Sequence, residues 1–148
     1  MYIRPATEQD VSRIAEILVY NNRLNFWPIF QDDQYSFGKL QVLTIAEEYL
    51  RDSEKRDRTF IYDDGVVKGL VQVKAHEIQK LYVDPFFQSQ GIGTILIEYA
   101  FAEHQARFLW ALEKNVRAIQ FYQRHGFHLT QERVFEEGTT EYLIRLER

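Results

Sequence analysis

Apolar residues along the chain follow two periods, and the switches between them mark out strands and helices. Tyr2–Ala6 reads as a short edge strand ended by Pro5. Thr7 then stands as a helix N-cap, with Glu8 and Asp10 in the first turn, where the helix dipole favours acids. Val11, Ile14, Ala15, Leu18 and Val19 recur at helical spacing and predict one buried stripe. From Asn21 to Gly38 neither period holds. Phe26, Trp27, Phe30, Tyr35 and Phe37 surround Pro28 there, which predicts an irregular aromatic loop packed over the body or covering a cavity. Helical spacing returns at about Lys39–Arg51 and would bury Leu40, Leu43, Ala46, Tyr49 and Leu50.

Thr59–Ala75 reads as a hairpin turning at Asp64-Gly65, because glycine tolerates the positive φ of a tight turn. A further strand, about His76–Val83, stops at Asp84-Pro85. A helix follows over about Gly91–Gln105, burying Ile92, Ile95, Leu96, Tyr99 and Ala100. Arg107–Glu113 is a strand, and Asn115 opens a helix through Ala118, Ile119 and Tyr122 to His125, ended by Gly126. Phe127–Phe135 and Thr139–Leu146 form a last hairpin around Glu137-Gly138. The order β-α-α-β-β-β-α-β-α-β-β predicts an α/β fold with helices on a mixed sheet. No repeat, linker or low-complexity segment interrupts it, so residues 1–148 read as one domain.

Composition narrows the function. The chain is 45% apolar, with 11 Phe and 9 Tyr, more aromatics than a small core needs, so some are expected to line a pocket or interface. Its net charge is −4 with acids and bases interspersed, which argues against binding nucleic acid through a broad basic surface. The run Arg51–Arg58 is half acidic and reads as a solvated helix end or loop. There is no cysteine, so neither a disulfide, a cysteine zinc site nor a cysteine nucleophile exists. The N-terminal residues lack a signal-peptide pattern, and no run approaches the roughly 18 apolar residues of a membrane span. A cytoplasmic protein without membrane contact is the expectation. His104, His125 and His128 do not cluster with acids at metal spacing, so no metal is expected.

The most informative stretch is Gln88-Ser89-Gln90-Gly91-Ile92-Gly93, between an apolar strand and an apolar helix. A strand entering a helix through such a loop leaves amide N–H groups unpaired at the positive end of the helix dipole. That seam can cradle a phosphate or pyrophosphate. It is not a Walker loop, since Thr94-Ile95 follows Gly93, and not a dinucleotide fingerprint, since position 96 is leucine. By itself the hexapeptide also suits a plain tight turn.

Together with its neighbours, the stretch resembles the GNAT superfamily of N-acetyltransferases. Gln88–Gly93 matches that family's Q/R-x-x-G-x-G/A loop. Asn115, Ala118, Phe121-Tyr122 and Gly126-Phe127 match its N-x-x-A-x-x-F-Y-x-x-x-G-F segment. The matched region runs from about Glu77 to Phe127. The resemblance implies a mostly antiparallel mixed sheet with a central splayed parallel strand pair and helices on both faces. It also implies acetyl-CoA as cosubstrate, its pyrophosphate held by Gln88, Ser89, Gln90, Gly91, Ile92, Gly93 and Thr94. The loop departs from many relatives in carrying no Arg or Lys, which leaves recognition mainly to backbone amides.

The implied reaction moves an acetyl group from a thioester to a primary amine. An amine of pKa about 10.4 is neutral in roughly one molecule per thousand or fewer at pH 7, a cost of about 4–5 kcal/mol without a base and a desolvating site. Tyr122 matches the family's acid tyrosine and would protonate the departing thiolate, although a plain core tyrosine also fits its helix stripe. Glu77 matches a glutamate that some members use as base. A cross-strand pair with lysine is the alternative for it, and His76 is a second candidate base. Amides near Leu81, Tyr82 and Val83 would stabilise the carbonyl oxygen, and the pantetheine arm would lie in the splay. Asn115 would touch the cofactor, or simply cap its helix. Without a cysteine, direct transfer in a ternary complex is the simplest mechanism.

In this fold the segment between the first two helices borders the acceptor. Phe26, Trp27, Phe30, Tyr35 and Phe37 are candidate walls, and Asp32 and Asp33 candidate partners for a cationic small-molecule or peptide amine. The same aromatics would equally serve to tuck the loop down. A homodimer through the late strands is compatible with the resemblance. Two other readings stay open. A non-catalytic acyl-CoA-binding or regulatory module would keep the loop without needing Tyr122 or Glu77. An interaction domain would leave the seam empty.

Overall fold

A computed structural model, which describes residues 2–148, places seven strands in one sheet. The strands are β1 (Ile3–Pro5), β2 (Thr59–Asp63), β3 (Val67–Lys74), β4 (Glu77–Val83), β5 (Phe108–Leu112), β6 (His128–Phe135) and β7 (Tyr142–Glu147), in spatial order β1-β2-β3-β4-β5-β7-β6. All neighbours are antiparallel except β4 and β5. The helices are α1 (Val11–Phe30), α2 (Val42–Arg51), α3 (Ser53–Asp57), α4 (Ile92–His104) and α5 (Val116–Arg124).

Strand alternation sends side chains to opposite faces and so builds two cores. On one face Ile61 and Leu70 pack with Ile14, Ile17, Leu18 and Val19 of α1 and Tyr49 of α2. On the other, Val71, Val83 and Leu109 pack with Leu96 and Ile97 of α4 and Ile119 of α5. Among the described residues no helix is long and apolar enough to cross a membrane.

Three local expectations change. Asn21–Gly38 is largely helical: α1 runs on through Pro28 to Phe30, and Gln34–Lys39 forms a wide turn of π-helix. Pro28 lies in the last turn, where its missing N–H forfeits one bond to the Leu24 carbonyl, and Gln31, in a left-handed conformation, then closes the helix by donating to the Trp27 carbonyl. In α2 the buried pair is Ala46 and Tyr49, with Val42 and Ile45 packed beside them, whereas Leu43 and Leu50 are exposed. In α4, Ile97 is buried and Ile95 exposed. The run Arg51–Arg58, expected as a solvated helix end or loop, holds the short helix α3, none of whose residues is buried.

Candidate active site

The parallel pairing of β4 and β5 is short: only Glu77↔Phe108 and Ile78↔Leu109 are in register. Immediately afterwards β4 carries a bulge. Gln72 faces Lys80 and Val73 faces Ile78, leaving Gln79 as the extra residue. A bulge bends its strand, and here it coincides with the parting of β4 from β5. It is held by a chain running out from the core, in which the buried Tyr49 hydroxyl donates to Gln72 Oε1 (2.5 Å) and Gln72 Nε2 to Oε1 of exposed Gln79 (2.9 Å).

The gap between the parted strands opens a cavity of about 690 Å³ that passes through the sheet. Leu18, Asn22, Phe26 and Ile45 line it on the α1/α2 face, Ala118, Phe121 and Tyr122 on the α5 face. Asp84 N donates to Lys68 O across β3 (2.8 Å). By alternation, Leu81 and Val83 therefore turn their N–H groups away from β3 and into the gap. The Val83 carbonyl, pointing the same way, accepts from Asn21 Nδ2 (3.0 Å) and Gln88 Nε2 (3.2 Å).

Beyond β4, Asp84 accepts from Phe86 N (2.8 Å) and pairs with Arg13 (2.8 Å), fixing where the chain turns. Ser89 (φ 64°) and Gly91 (φ 83°) are both left-handed, and no atom lies within 4 Å of where a Gly91 Cβ would be. No side chain caps α4. Its first amides, at Ile92, Gly93 and Thr94, line the cavity with no partner inside the helix. Gly93 answers a different constraint, since a Cβ there would lie 3.3 Å from the Phe121 ring of α5.

Tyr122 lines the same cavity and packs edge-on against Phe121 and Phe127. Burial pushes its hydroxyl up to about 12, so it stays protonated at neutral pH. Burial also raises Tyr82. Asn115 lines the cavity, and its Oδ1 caps α5 by accepting from Ala118 N (3.4 Å).

The structure thus gathers Leu81, Tyr82, Val83, Gln88, Ser89, Gly91, Ile92, Gly93, Thr94, Asn115 and Tyr122 around one space, with Phe26 and Phe30 at its α1 end. The other candidates lie outside its lining. Gln90 is exposed beside the loop. Trp27 donates to Asp33 (2.8 Å), and Asp32 accepts from Tyr35 N (3.1 Å), so all three serve local structure. Glu77 sits where β4 and β5 are still paired. Its carboxyl is raised by burial, against the opposing pull of Arg145 and Lys74. His76, at the same end, hydrogen-bonds the Gln105 carbonyl.

Sequence reasoning missed several lining groups. Asn21 ties α1 to the end of β4, and Asn22 presents a buried Oδ1 with no partner among the described residues. Arg117 and Arg124 add positive charge to the lining, and His125 Nε2 lies 3.3 Å from Thr94 Oγ1 in the first turn of α4. Arg117 had a readable signal: a cation in a helix's first turn opposes the dipole. Glu136 is the one carboxylate lining the cavity among the described residues, and Lys80 its one cation from β4.

A seven-stranded sheet parted at its single parallel pair is the GNAT N-acetyltransferase fold. The chain superposes on the solution structure of apo YjaB from Escherichia coli with a TM-score of 0.79 at 18% identity, covering 98% of this chain and 95% of that one. It superposes on the paia N-acetyltransferase of Thermoplasma acidophilum in complex with coenzyme A with a TM-score of 0.73 at 16% identity, covering 99% and 98%. Residues 55–129 match the acetyltransferase (GNAT) domain, and the chain belongs to that family. In sequence it is 34% identical over 68 residues to the peptidyl-lysine N-acetyltransferase YiaC of Escherichia coli K12, a match covering 45% of this chain and 47% of the relative. The chain spans about half the length, or less, of the curated relatives it matches.

Proposed function

We propose that the chain is an acetyl-CoA-dependent N-acetyltransferase that transfers directly to a primary amine of a small molecule or peptide. The observation that carries this is the cavity through the sheet. It brings uncapped helix amides, free strand amides and a protonated tyrosine into one space open to both faces.

Acetyl-CoA supplies the acetyl group as a reactive thioester. The amides of Ile92, Gly93 and Thr94, backed by Arg117, Arg124 and His125, hold the pyrophosphate. The Leu81 and Val83 amides receive the thioester carbonyl oxygen and the pantetheine arm. Tyr122 donates a proton to the departing sulfur from the α5 face. The acceptor enters from the α1/α2 face between Phe26, Phe30 and Tyr35, and the free Asn22 Oδ1 offers an acceptor for an amine N–H. Glu77, at the closed end of the splay, reaches this space only through water. The name of the relative YiaC makes lysine-bearing peptides the first acceptors to try.

Thermal unfolding with acetyl-CoA tests the cofactor. Ligand at about 100 times its Kd adds about 2.7 kcal/mol, several degrees for a chain of this size. Gly91→Asp is expected to abolish that shift, while Gly138→Asp, also at a positive-φ glycine in open space, controls for backbone strain and is expected to keep it. Equal shifts in both variants would remove the pyrophosphate from the glycine loop. Transfer itself is then followed with a lysine peptide, a peptide with a free N-terminus and a polyamine.

A further inference from the structure

Lys80 is a lysine in an unusual place. Ile78, Leu81 and Val83 all pack on the α4/α5 face, whereas Tyr82 packs with the α1/α2 core. Unbroken alternation from Ile78 would put Lys80 on the α4/α5 face. The bulge at Gln79 reverses the parity. Lys80 therefore stands on the α1/α2 face with Tyr82, at the edge of the gap and one residue before the Leu81 amide. There it lines the cavity, half-buried. No ion pair or hydrogen bond engages its ammonium among the described residues. The neighbouring charges are Lys55, which opposes it, and Glu48, which favours it, and these two are 3.9 Å from each other. The other cations of the cavity, Arg117 and Arg124, come from α5. Burial, more than Lys55, lowers the pKa of Lys80 and enlarges the fraction present as free amine.

We propose that Lys80 is an internal acetyl acceptor, so that with acetyl-CoA in the cavity and no outside amine present its Nζ takes the acetyl group. This rests on the reading of the cavity as an acetyl-CoA site. The lone pair of neutral Nζ attacks the thioester carbonyl carbon, a C–N bond forms and the C–S bond breaks. Sulfur leaves with the bonding pair and takes a proton from Tyr122, which regains one from solvent. Nζ releases its surplus proton to water. The products are an N-acetylated Lys80 and free coenzyme A. The acetylated side chain is neutral and stands on the α1/α2 side of the cavity, from which the acceptor enters, which makes the modification self-limiting for transfer to other amines.

The test is peptide mapping by mass spectrometry of the intact chain incubated with acetyl-CoA alone, following all six lysines (Lys39, Lys55, Lys68, Lys74, Lys80 and Lys114) over time. A parallel sample receives acetyl N-hydroxysuccinimide ester, which modifies amines according to exposure. With the ester, exposed Lys39 and Lys114 are expected to react first and Lys80 late. With acetyl-CoA the order is expected to reverse, Lys80 leading by about tenfold or more because amine and thioester share one cavity. Gly91→Asp is expected to erase that lead and Gly138→Asp to retain it. The same exposure order with both reagents, in a chain whose melting temperature still rises with acetyl-CoA, overturns the proposal and leaves the cofactor site standing. No rise in melting temperature overturns the cofactor site, and Lys80 with it.

Discussion

At the scale of single residues, one motif hides two requirements. Gly91 is needed for its backbone, at φ 83° with open space around it, and Gly93 for the absence of a side chain beside Phe121. The second glycine thus couples the loop to the helix that carries Tyr122. Replacing Tyr122 by Phe removes the proposed proton donor and leaves the ring packing against Phe121 and Phe127. We expect kcat to fall by about 100-fold, within the usual range for a general acid, with the acetyl-CoA melting shift retained. A binding module would show the same shift and no transfer in either form. Because burial raises the hydroxyl to about 12, its ionisation is expected well above that of an ordinary tyrosine, near 10, in an alkaline spectrophotometric titration. Loss of the donor between pH 7 and 9 would contradict this.

At the scale of elements, the bulge in β4 controls most of the site. It lies where β4 leaves β5, and it decides which face Lys80 occupies. Nothing in Glu77–Val83 marks it, because a bulge is set by pairing with another strand and by the Tyr49–Gln72–Gln79 chain, contributed by α2, β3 and β4. Tyr49→Phe leaves the Gln72 oxygen buried without its donor. A loss of about 1–3 kcal/mol in urea unfolding is the expected cost. Wild-type stability in that variant would mean the bulge does not depend on this hydroxyl. The glycine loop, by contrast, was legible because its chemistry is local: left-handed residues and a helix start lie within a few positions. Glu77 could not be placed the same way, since its distance from the thioester depends on how far β4 and β5 stay paired.

At the scale of the whole molecule, the two cores clamp the sheet, and its β1 edge is fastened by charge. Arg4 joins Asp10 (2.9 Å) before α1 to Asp63 (3.0 Å) at the end of β2. Burial by itself would raise the Asp10 carboxyl, but hydrogen bonds from Arg4 and Thr7 outweigh it and hold it below the ordinary value. A depressed carboxylate stabilises the fold fully above its unfolded pKa, about 3.9, and loses that contribution as pH falls through the folded value. Asp10→Asn is therefore expected to cost about 1–3 kcal/mol at pH 7, with the gap to the wild type closing as pH drops from 5 towards 2 in urea midpoints. A gap independent of pH would show that the carboxylate's charge is not what matters. The sequence by itself determined the order of the strands and of every helix but α3, the family and the loop that would hold a phosphate, because hydrophobic periods, caps and glycine turns act over a few neighbouring residues. Only the folded structure shows that α1 continues past Pro28, that Trp27, Asp32 and Asp33 turn to one another and to their own backbone, that Glu77 stays where β4 and β5 are paired, and that Lys80 and Glu136 both line the cavity. The positions of Glu77, Lys80 and Glu136 depend on groups far apart in sequence, whose proximity exists only once the sheet has chosen its register, whereas the end of α1 and the Trp27–Asp33 and Asp32–Tyr35 bonds are short-range contacts that hydrophobic periodicity does not encode.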